Sequence, residues 1–249
     1  MKNDIPVIIL AGGYGTRISE ESEFKPKPMV MIGERPILWH IMKLYAIQGF
    51  NNFIIATGYK HEIIDEWITQ NDSKKLWGFE CNAKSVFTGE KTQTGGRIRK
   101  VIDTRSDKTY MITYGDGLAN IDLNHLVSYH YSHGKIATVT SVRPPARFGH
   151  IQSKNGKVIH FGEKNQVDVG WINGGFFVVN SNIKDYISDD LIPFETEPME
   201  KLVEQGELMT NHHYGFWQPM DTLREKQLLE KYDKNDPKPW LSLGNSDIG

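Results

Sequence analysis

Between Leu10 and Met29 the chain reads LAGGYGTRISEESEFKPKPM. Gly12, Gly13 and Gly15 lead into Thr16 and Arg17; after an acidic interval come Lys25 and Lys27, each followed by proline. Glycine has no Cβ, so the backbone of such a loop can approach a ligand closely. Exposed backbone N–H groups in a loop of this kind form an anion nest, and Arg17, Lys25 and Lys27 add full positive charges around it. A plain strand-to-helix turn would explain the glycines but not the cations. The chemistry is that of a polyphosphate site.

Three familiar glycine loops do not fit. A Walker A loop needs Gly-Lys-[Ser/Thr], which does not occur in the chain. The dinucleotide fingerprint needs a third glycine where Ile18 stands, and expects an acid about 20 residues on, near the end of the second strand, where the sequence has Thr57-Gly58. The kinase loop fails because no H-R-D or D-F-G follows.

Three further constellations surround this loop. In Tyr114-Gly115-Asp116-Gly117 an aspartate follows an apolar strand, flanked by glycines that leave its carboxylate unobstructed. A carboxylate facing a polyphosphate makes sense with a cation between them, and Mg²⁺ takes one or two protein carboxylates and completes its shell with phosphate oxygens and water. Asp221, in GFWQPMDT, is the candidate second carboxylate, although Asp-Thr before a helical run is equally placed to cap that helix. Thr92-Gln93-Thr94-Gly95-Gly96-Arg97 offers hydroxyls, amides and a guanidinium for a base edge or a phosphate, with a surface turn as the plain alternative. Glu163-Lys164 with Asn173-Gly174-Gly175 offers a carboxylate for sugar hydroxyls, an ammonium for a sugar phosphate and an amide for either, or else a solvated pair beside a glycine bend. The histidines lack metal-site spacing and read as structural, and no Gly-x-Ser-x-Gly elbow is present.

The elements that must position these groups alternate between strand-like and helix-like runs, which predicts an α/β fold with a mostly parallel central sheet covered on both faces. Val7–Leu10 is a buried strand. Pro36–Gln48 has helical spacing, Phe53–Thr57 is a strand and His61–Gln70 a helix. A strand from Tyr110, a helix from Asp122 closed by Gly134 and a strand from Ile136 follow. Alternation around Asn155-Gly156 predicts a small β-hairpin insertion. A strand from Asn173, a helix from Glu197, a strand through Tyr214 and a helix over Thr222–Lys231 complete the pattern, and the polar tail after Asp233 reads as irregular. With no linker or repeat, residues 1–249 read as one domain, a nucleotide-binding half to about residue 120 and a sugar-phosphate half thereafter.

Hydrophobic content of 39% with 24% charged residues suits a globular protein. The net charge of −2 gives no basic footprint for nucleic acid. A single cysteine, Cys81, excludes an intrachain disulfide and fits a reducing compartment. The apolar run near the N-terminus is too short for a signal peptide, no membrane span is expected, and the predicted location is the cytoplasm.

Taken together, LAGGYGTR, KPKPM, PILWHIMK, TQTGGRIRKV, YGDG, FGEK, NGGFFV and GFWQPMDT resemble the sugar-nucleotide pyrophosphorylases, in particular their cytidylyl branch, over about Val7 to Trp240. The resemblance implies a Rossmann-like nucleotidyltransferase fold and transfer of a cytidylyl group from CTP to α-D-glucose 1-phosphate, giving CDP-glucose and pyrophosphate. It implies that Leu10, Ala11, Gly12, Gly13, Tyr14, Gly15, Thr16, Arg17, Lys27, Gly115 and Asp116 hold the nucleotide, with Thr92 and Arg97 at the cytosine. It further implies Mg²⁺ on Asp116 and Asp221, and the sugar phosphate on Lys25, Glu163, Lys164, Asn173 and Gly175. Arg17, Lys27 and Asp116 would be the catalytic groups, and the assembly a homo-oligomer, by resemblance a hexamer. Three positions depart from the family pattern: Asn165 replaces a proline after Glu163-Lys164, the segment between Trp67 and Thr88 is short, and Met31 stands where an acid is common.

The implied nucleophile is a phosphate oxygen, already anionic at neutral pH, so no general base is needed. The same transfer with UTP, dTTP or another sugar phosphate is the nearest alternative, and a non-catalytic nucleotide-sugar sensor a more distant one. Trp67 and Trp77 suit either a subunit contact or the core.

Overall fold

Val7–Ala11 (β1) is buried at all five positions, so both of its faces are covered. Successive Cβ atoms point to opposite sides of a strand. Accordingly Val7, Ile9 and Ala11 enter one apolar layer, and Ile8 and Leu10 another. The computed structural model describes residues 4–15, 24–71, 77–144, 150–154, 157–162 and 170–242. The further strands are Met31–Ile32 (β2), Arg35–Pro36 (β3), Asn52–Thr57 (β4), Asn82–Phe87 (β5), Thr109–Tyr114 (β6) and Gly117–Ala119 (β7). Ala137–Val142 (β8), His150–Lys154 (β9), Lys157–Gly162 (β10), Ile172–Asn180 (β11), Leu208–His213 (β12) and Trp217–Pro219 (β13) follow.

Seven of these strands form one sheet in the order β12-β8-β11-β6-β1-β4-β5. All run in the same direction except β11, which is antiparallel to β6 and β8. The helices Ile37–Ala46, His61–Gln70, Leu123–His133 and Leu223–Asp233 feed the layer that receives Val7 and Ile9. Thr94–Asp103 and Glu197–Glu204 cover the opposite face, through Ile98, Val101, Ile102 and Leu202. This is the mixed, mostly parallel sheet flanked by helices that the alternating pattern predicts. β9 and β10 form the predicted antiparallel hairpin, whose turn at 155–156 lies outside the described residues. No described helix is long and apolar enough to cross a membrane.

Some expectations need correction. Gly95 and Gly96, in the stretch that a surface turn would also explain, form the first turn of the helix Thr94–Asp103. A Cβ on Gly95 would lie 2.5 Å from the Ile192 carbonyl oxygen, and one on Gly96 2.5 Å from that of Asp190, so these glycines admit the protein's own backbone. Trp77 is only 3% exposed and packs edge-on against Trp67 in the core, which removes it as a subunit contact. The tail after Asp233 is anchored by a 3₁₀ turn, Pro239–Leu241, with Trp240 fully buried. β5 was not expected, because NAKSVF carries Asn82 and Lys84 on a sheet edge and lacks an apolar run.

The chain passes from β1 to β4 and β5 on one side of the sheet, then returns to β6 on the other. The order therefore reverses between β1 and β6, and open α/β sheets bind ligands in the crevice at the carboxyl ends of strands at such a point. The loops that leave β1 and β6 are the glycine loop and Gly115-Asp116-Gly117.

Candidate active site

A cavity of about 850 Å³ opens at this reversal, its wall including Gly12, Gly13, Lys27, Asp116, Asn173 and Asp221. The glycine loop is held from beneath by Arg97, which is 3% exposed. Its Nη1 donates to the Thr57 carbonyl (2.8 Å), Thr88 Oγ1 (2.6 Å) and the Gly89 carbonyl (2.8 Å), and its Nη2 to the Gly12 carbonyl (2.9 Å). Burial lowers the Arg97 pKa, yet a guanidinium is basic enough to stay charged. Arg97 also reaches the cavity wall, but its side chain is engaged in tying the ends of β1, β4 and β5 together.

Lys27 begins a 3₁₀ turn, Lys27–Met29, entered through Pro26. Pro28 packs so closely on Gly115 that a Cβ there would lie 2.8 Å from Pro28 Cγ and 2.9 Å from the Leu10 carbonyl oxygen. Close packing of this turn on the loop after β6 brings the Lys27 ammonium to 2.5 Å from Asp116 Oδ2 and 2.7 Å from Asp221 Oδ1. Asp221 arrives from 105 residues further along the chain. The two-stranded ribbon of β7 and β13, in which Gly117 is opposite Pro219, carries it there, and the Met220 N–H donates to the Asp116 carbonyl at 2.8 Å. Burial pulls the Lys27 pKa down, the two carboxylates pull it up, and the net shift is upward, so the ammonium persists throughout the neutral range.

The helix-capping alternative for Asp221 is decided here. Thr222 is the N-cap, in a reciprocal box with Glu225, and the Asp221 side chain points to Lys27 instead. Among the described residues no group of three or more His, Cys, Asp or Glu side chains could hold a metal. Two oxygen-donor carboxylates converging on one cation nevertheless fit what Mg²⁺ takes from proteins that also bind phosphates.

Also on the cavity wall, Asn173 Nδ2 donates to the Tyr114 hydroxyl at 3.0 Å, and that hydroxyl donates to Glu195 Oε1 at 2.6 Å. Asn173 Oδ1 accepts the Gly175 N–H at 2.8 Å. Gly175 has φ +81°, and a Cβ there would lie 2.5 Å from the Tyr114 ring. Trp217 Nε1 donates to the Gly174 carbonyl at 2.8 Å, closing that wall. Burial and the Glu195 charge both push the Tyr114 pKa up, which keeps the phenol protonated.

Of the residues singled out in the sequence, Leu10, Ala11, Gly12, Gly13, Gly15, Lys27, Thr92, Arg97, Gly115, Asp116, Asn173, Gly175 and Asp221 all line this cavity. Tyr14 is half-exposed beside Tyr59, with ring centroids 5.1 Å apart. Lys25 is half-buried and is not among the described residues of the wall. Thr16, Arg17, Glu163 and Lys164 lie outside the described residues. Sequence reasoning missed Glu195 and quoted Tyr114 without giving it a role. Glu195 sits in FETEPME among other acids, with no glycine or strand end to mark it.

The family model described as nucleotidyl transferase matches residues 6–245. The chain is 43% identical to the glucose-1-phosphate cytidylyltransferase of Salmonella typhimurium, over 94% of this chain and 97% of that protein. It is 44% identical to the probable glucose-1-phosphate cytidylyltransferase of Bacillus subtilis, over 90% of this chain and 93% of that one. In fold it is similar to crystalline HddC from Yersinia pseudotuberculosis, with a TM-score of 0.74 at 22% identity, covering 92% of this chain and all of that one.

Proposed function

Because the chain belongs to the nucleotidyl transferase family, we propose that it transfers a cytidylyl group from CTP to α-D-glucose 1-phosphate, giving CDP-glucose and pyrophosphate. The observation that carries this reading is the meeting of Lys27, Asp116 and Asp221 beside the glycine loop. The substrates are those named for relatives that share over two-fifths of their residues with nearly the whole chain.

In this reading a phosphate oxygen of the sugar phosphate attacks the α-phosphorus of CTP in line, forming a P–O bond as pyrophosphate departs with the electrons of the broken one. The nucleophile is already an anion, so the residues have only to hold, orient and stabilise charge. The barrier lies in bringing two polyanions together. Lys27, kept protonated by its carboxylate neighbours, carries positive charge to the crowded phosphates. Asp116 and Asp221 would hold Mg²⁺, which when bound neutralises phosphate charge and polarises a phosphoryl oxygen. The glycine loop, fixed by Arg97, lets backbone approach the triphosphate.

Pyrophosphate release from CTP plus glucose 1-phosphate, with and without Mg²⁺, tests the reading. Magnesium-dependent release that is stronger with CTP than with UTP or dTTP is the expected result. No release with any of the three nucleotides would overturn it.

A further inference from the structure

One carboxylate in the cavity has no part in the phosphate chemistry. Glu195 is exposed, lines the cavity, and has both oxygens fixed by protein donors. The Tyr114 hydroxyl donates to Oε1 at 2.6 Å, and the Thr94 hydroxyl to Oε2 at 2.7 Å. Each hydroxyl is itself held by a second partner. The Tyr114 oxygen is already an acceptor for Asn173, and the Thr94 oxygen for the Phe194 N–H at 2.8 Å. The carboxylate is thus oriented by four segments of the chain: the end of β6, the start of β11, the first turn of the helix Thr94–Asp103, and residues 194–195.

A carboxylate accepts at about four lone-pair sites and donates at none. With one hydrogen bond per oxygen taken by protein, acceptor capacity remains for groups in the cavity. Like charges brought together are strongly unfavourable, so a phosphate is the wrong neighbour for it. The right neighbour is a neutral donor, either a sugar hydroxyl or the exocyclic amine of a base. The link to Asn173 favours the first. Glu195 Oε1 shares the Tyr114 hydroxyl with Asn173 of β11, two strands from β1 and its glycine loop, while Oε2 takes the Thr94 hydroxyl at the start of the helix that carries Arg97.

We propose that Glu195 is a specificity-determining residue whose carboxylate, oriented by Tyr114 and Thr94 as positioning residues, accepts hydrogen bonds from ring hydroxyls of the hexose 1-phosphate. The inference rests on the nucleotidyl-transfer reading above. It gives the fixed negative charge a second effect: a sugar phosphate entering with its phosphate toward Glu195 is repelled, so the hexose takes that end and the phosphate is directed toward Lys27.

The experiment compares wild type with Glu195→Gln and Glu195→Ala. Calorimetry measures binding of CTP, and of glucose 1-phosphate together with a non-reacting methylene analogue of CTP. Turnover is then followed with glucose 1-phosphate and with each of its monodeoxy analogues. Hydrogen bonds to charged groups lead us to expect a loss of about ten- to a hundredfold in glucose 1-phosphate affinity for Glu195→Gln, with CTP affinity unchanged. At least one deoxy analogue should be poor for wild type yet no worse than glucose 1-phosphate itself for Glu195→Ala. The proposal is overturned if CTP affinity falls as much as sugar-phosphate affinity. It is equally overturned if wild type and Glu195→Ala show the same penalty for every deoxy analogue, or if wild type binds no sugar phosphate. A wild type that binds glucose 1-phosphate but releases no pyrophosphate strikes the transfer reading alone, and the calorimetric comparison of the variants still decides Glu195.

Discussion

Arg97 lies so close beneath Gly12 that a Cβ on Gly12 would fall 2.1 Å from the guanidinium carbon. The same guanidinium excludes a side chain at Gly58, where a Cβ would be 2.6 Å from Nη1. The glycine at 12 is therefore required by the protein's own charged support as well as by close approach to a ligand. Gly12→Ala must expel the guanidinium from its carbonyl partners and leave buried polar groups unpaired, each worth roughly 1–3 kcal/mol. We expect Gly12→Ala to unfold at clearly lower denaturant concentration than wild type and to bind CTP poorly. Gly13→Ala, whose Cβ would meet nothing within 4 Å, should keep wild-type stability. Equal stability of the two variants would contradict this account.

Lys27 forms an ion pair with both Asp116 and Asp221. Removing one electrostatic group of this kind from a reaction centre typically slows turnover about a hundred- to a thousandfold. Lys27→Met and Asp116→Asn should each show at least that loss in kcat while remaining folded. Lys27→Met also removes the ammonium that Asp116 and Asp221 share. Its melting temperature should then rise more with added Mg²⁺ than that of wild type, in the absence of nucleotide. Near-normal turnover, or an identical response to Mg²⁺, counts against the assignment.

Most of the fold was legible because its elements obey simple periodicities. VIILA alternates between two apolar layers, and HEIIDEWITQ forms a helix over the ten residues that its pattern predicts. The glycine loop and Asp116 were legible as chemistry because glycines beside charged groups at strand ends are unusual. What could not be read was the pairing of distant groups. Nothing local in GFWQPMDT says that the β7–β13 ribbon delivers Asp221 to Lys27, or that Thr222 takes the cap and leaves Asp221 available. The carbonyl partners that hold Arg97 beneath the glycine loop depend on three strand ends meeting, which no local pattern shows. Glu195 went unnoticed because an acid in an acidic, irregular segment has the same local signature whether it faces solvent or a cavity.

Acid should destabilise the protein through its buried His40 and His130 and its half-buried His213. Burial is the leading cause that lowers the pKa of His40, His130 and His213 from the ordinary 6.5. Below that value the unfolded chain binds protons that the folded one refuses, so the unfolding free energy falls as pH drops toward the folded pKa values. Stability from these groups is complete above pH 6.5 and is lost progressively beneath it. His130, held between Thr138 Oγ1 at 2.9 Å and Asn180 Oδ1 at 3.1 Å, offers a specific check. Thermal melts across the acid-to-neutral range should show a falling midpoint in wild type and a shallower slope in His130→Gln. A midpoint independent of pH over that range would refute the argument.

Glu225 ties the helix cap to the metal-binding candidate. Its Oε2 accepts both the Asp221 N–H at 2.8 Å and the Thr222 N–H at 3.0 Å, while its own N–H donates to Thr222 Oγ1 at 3.3 Å. Loss of an N-cap typically lowers stability by about 0.5–2 kcal/mol. Thr222→Ala removes the cap but leaves the Asp221 backbone held by Glu225, so it should lose stability of that order with an unchanged Mg²⁺ requirement. Glu225→Ala removes the hydrogen bond that fixes the Asp221 backbone, and should raise the Mg²⁺ concentration needed for half-maximal turnover as well as lowering stability. Titrating Mg²⁺ against pyrophosphate release in both variants, alongside denaturant unfolding, separates the two effects. If Thr222→Ala shifts the Mg²⁺ requirement as far as Glu225→Ala does, Asp221 is positioned by the helix as a whole and Glu225 has no role of its own.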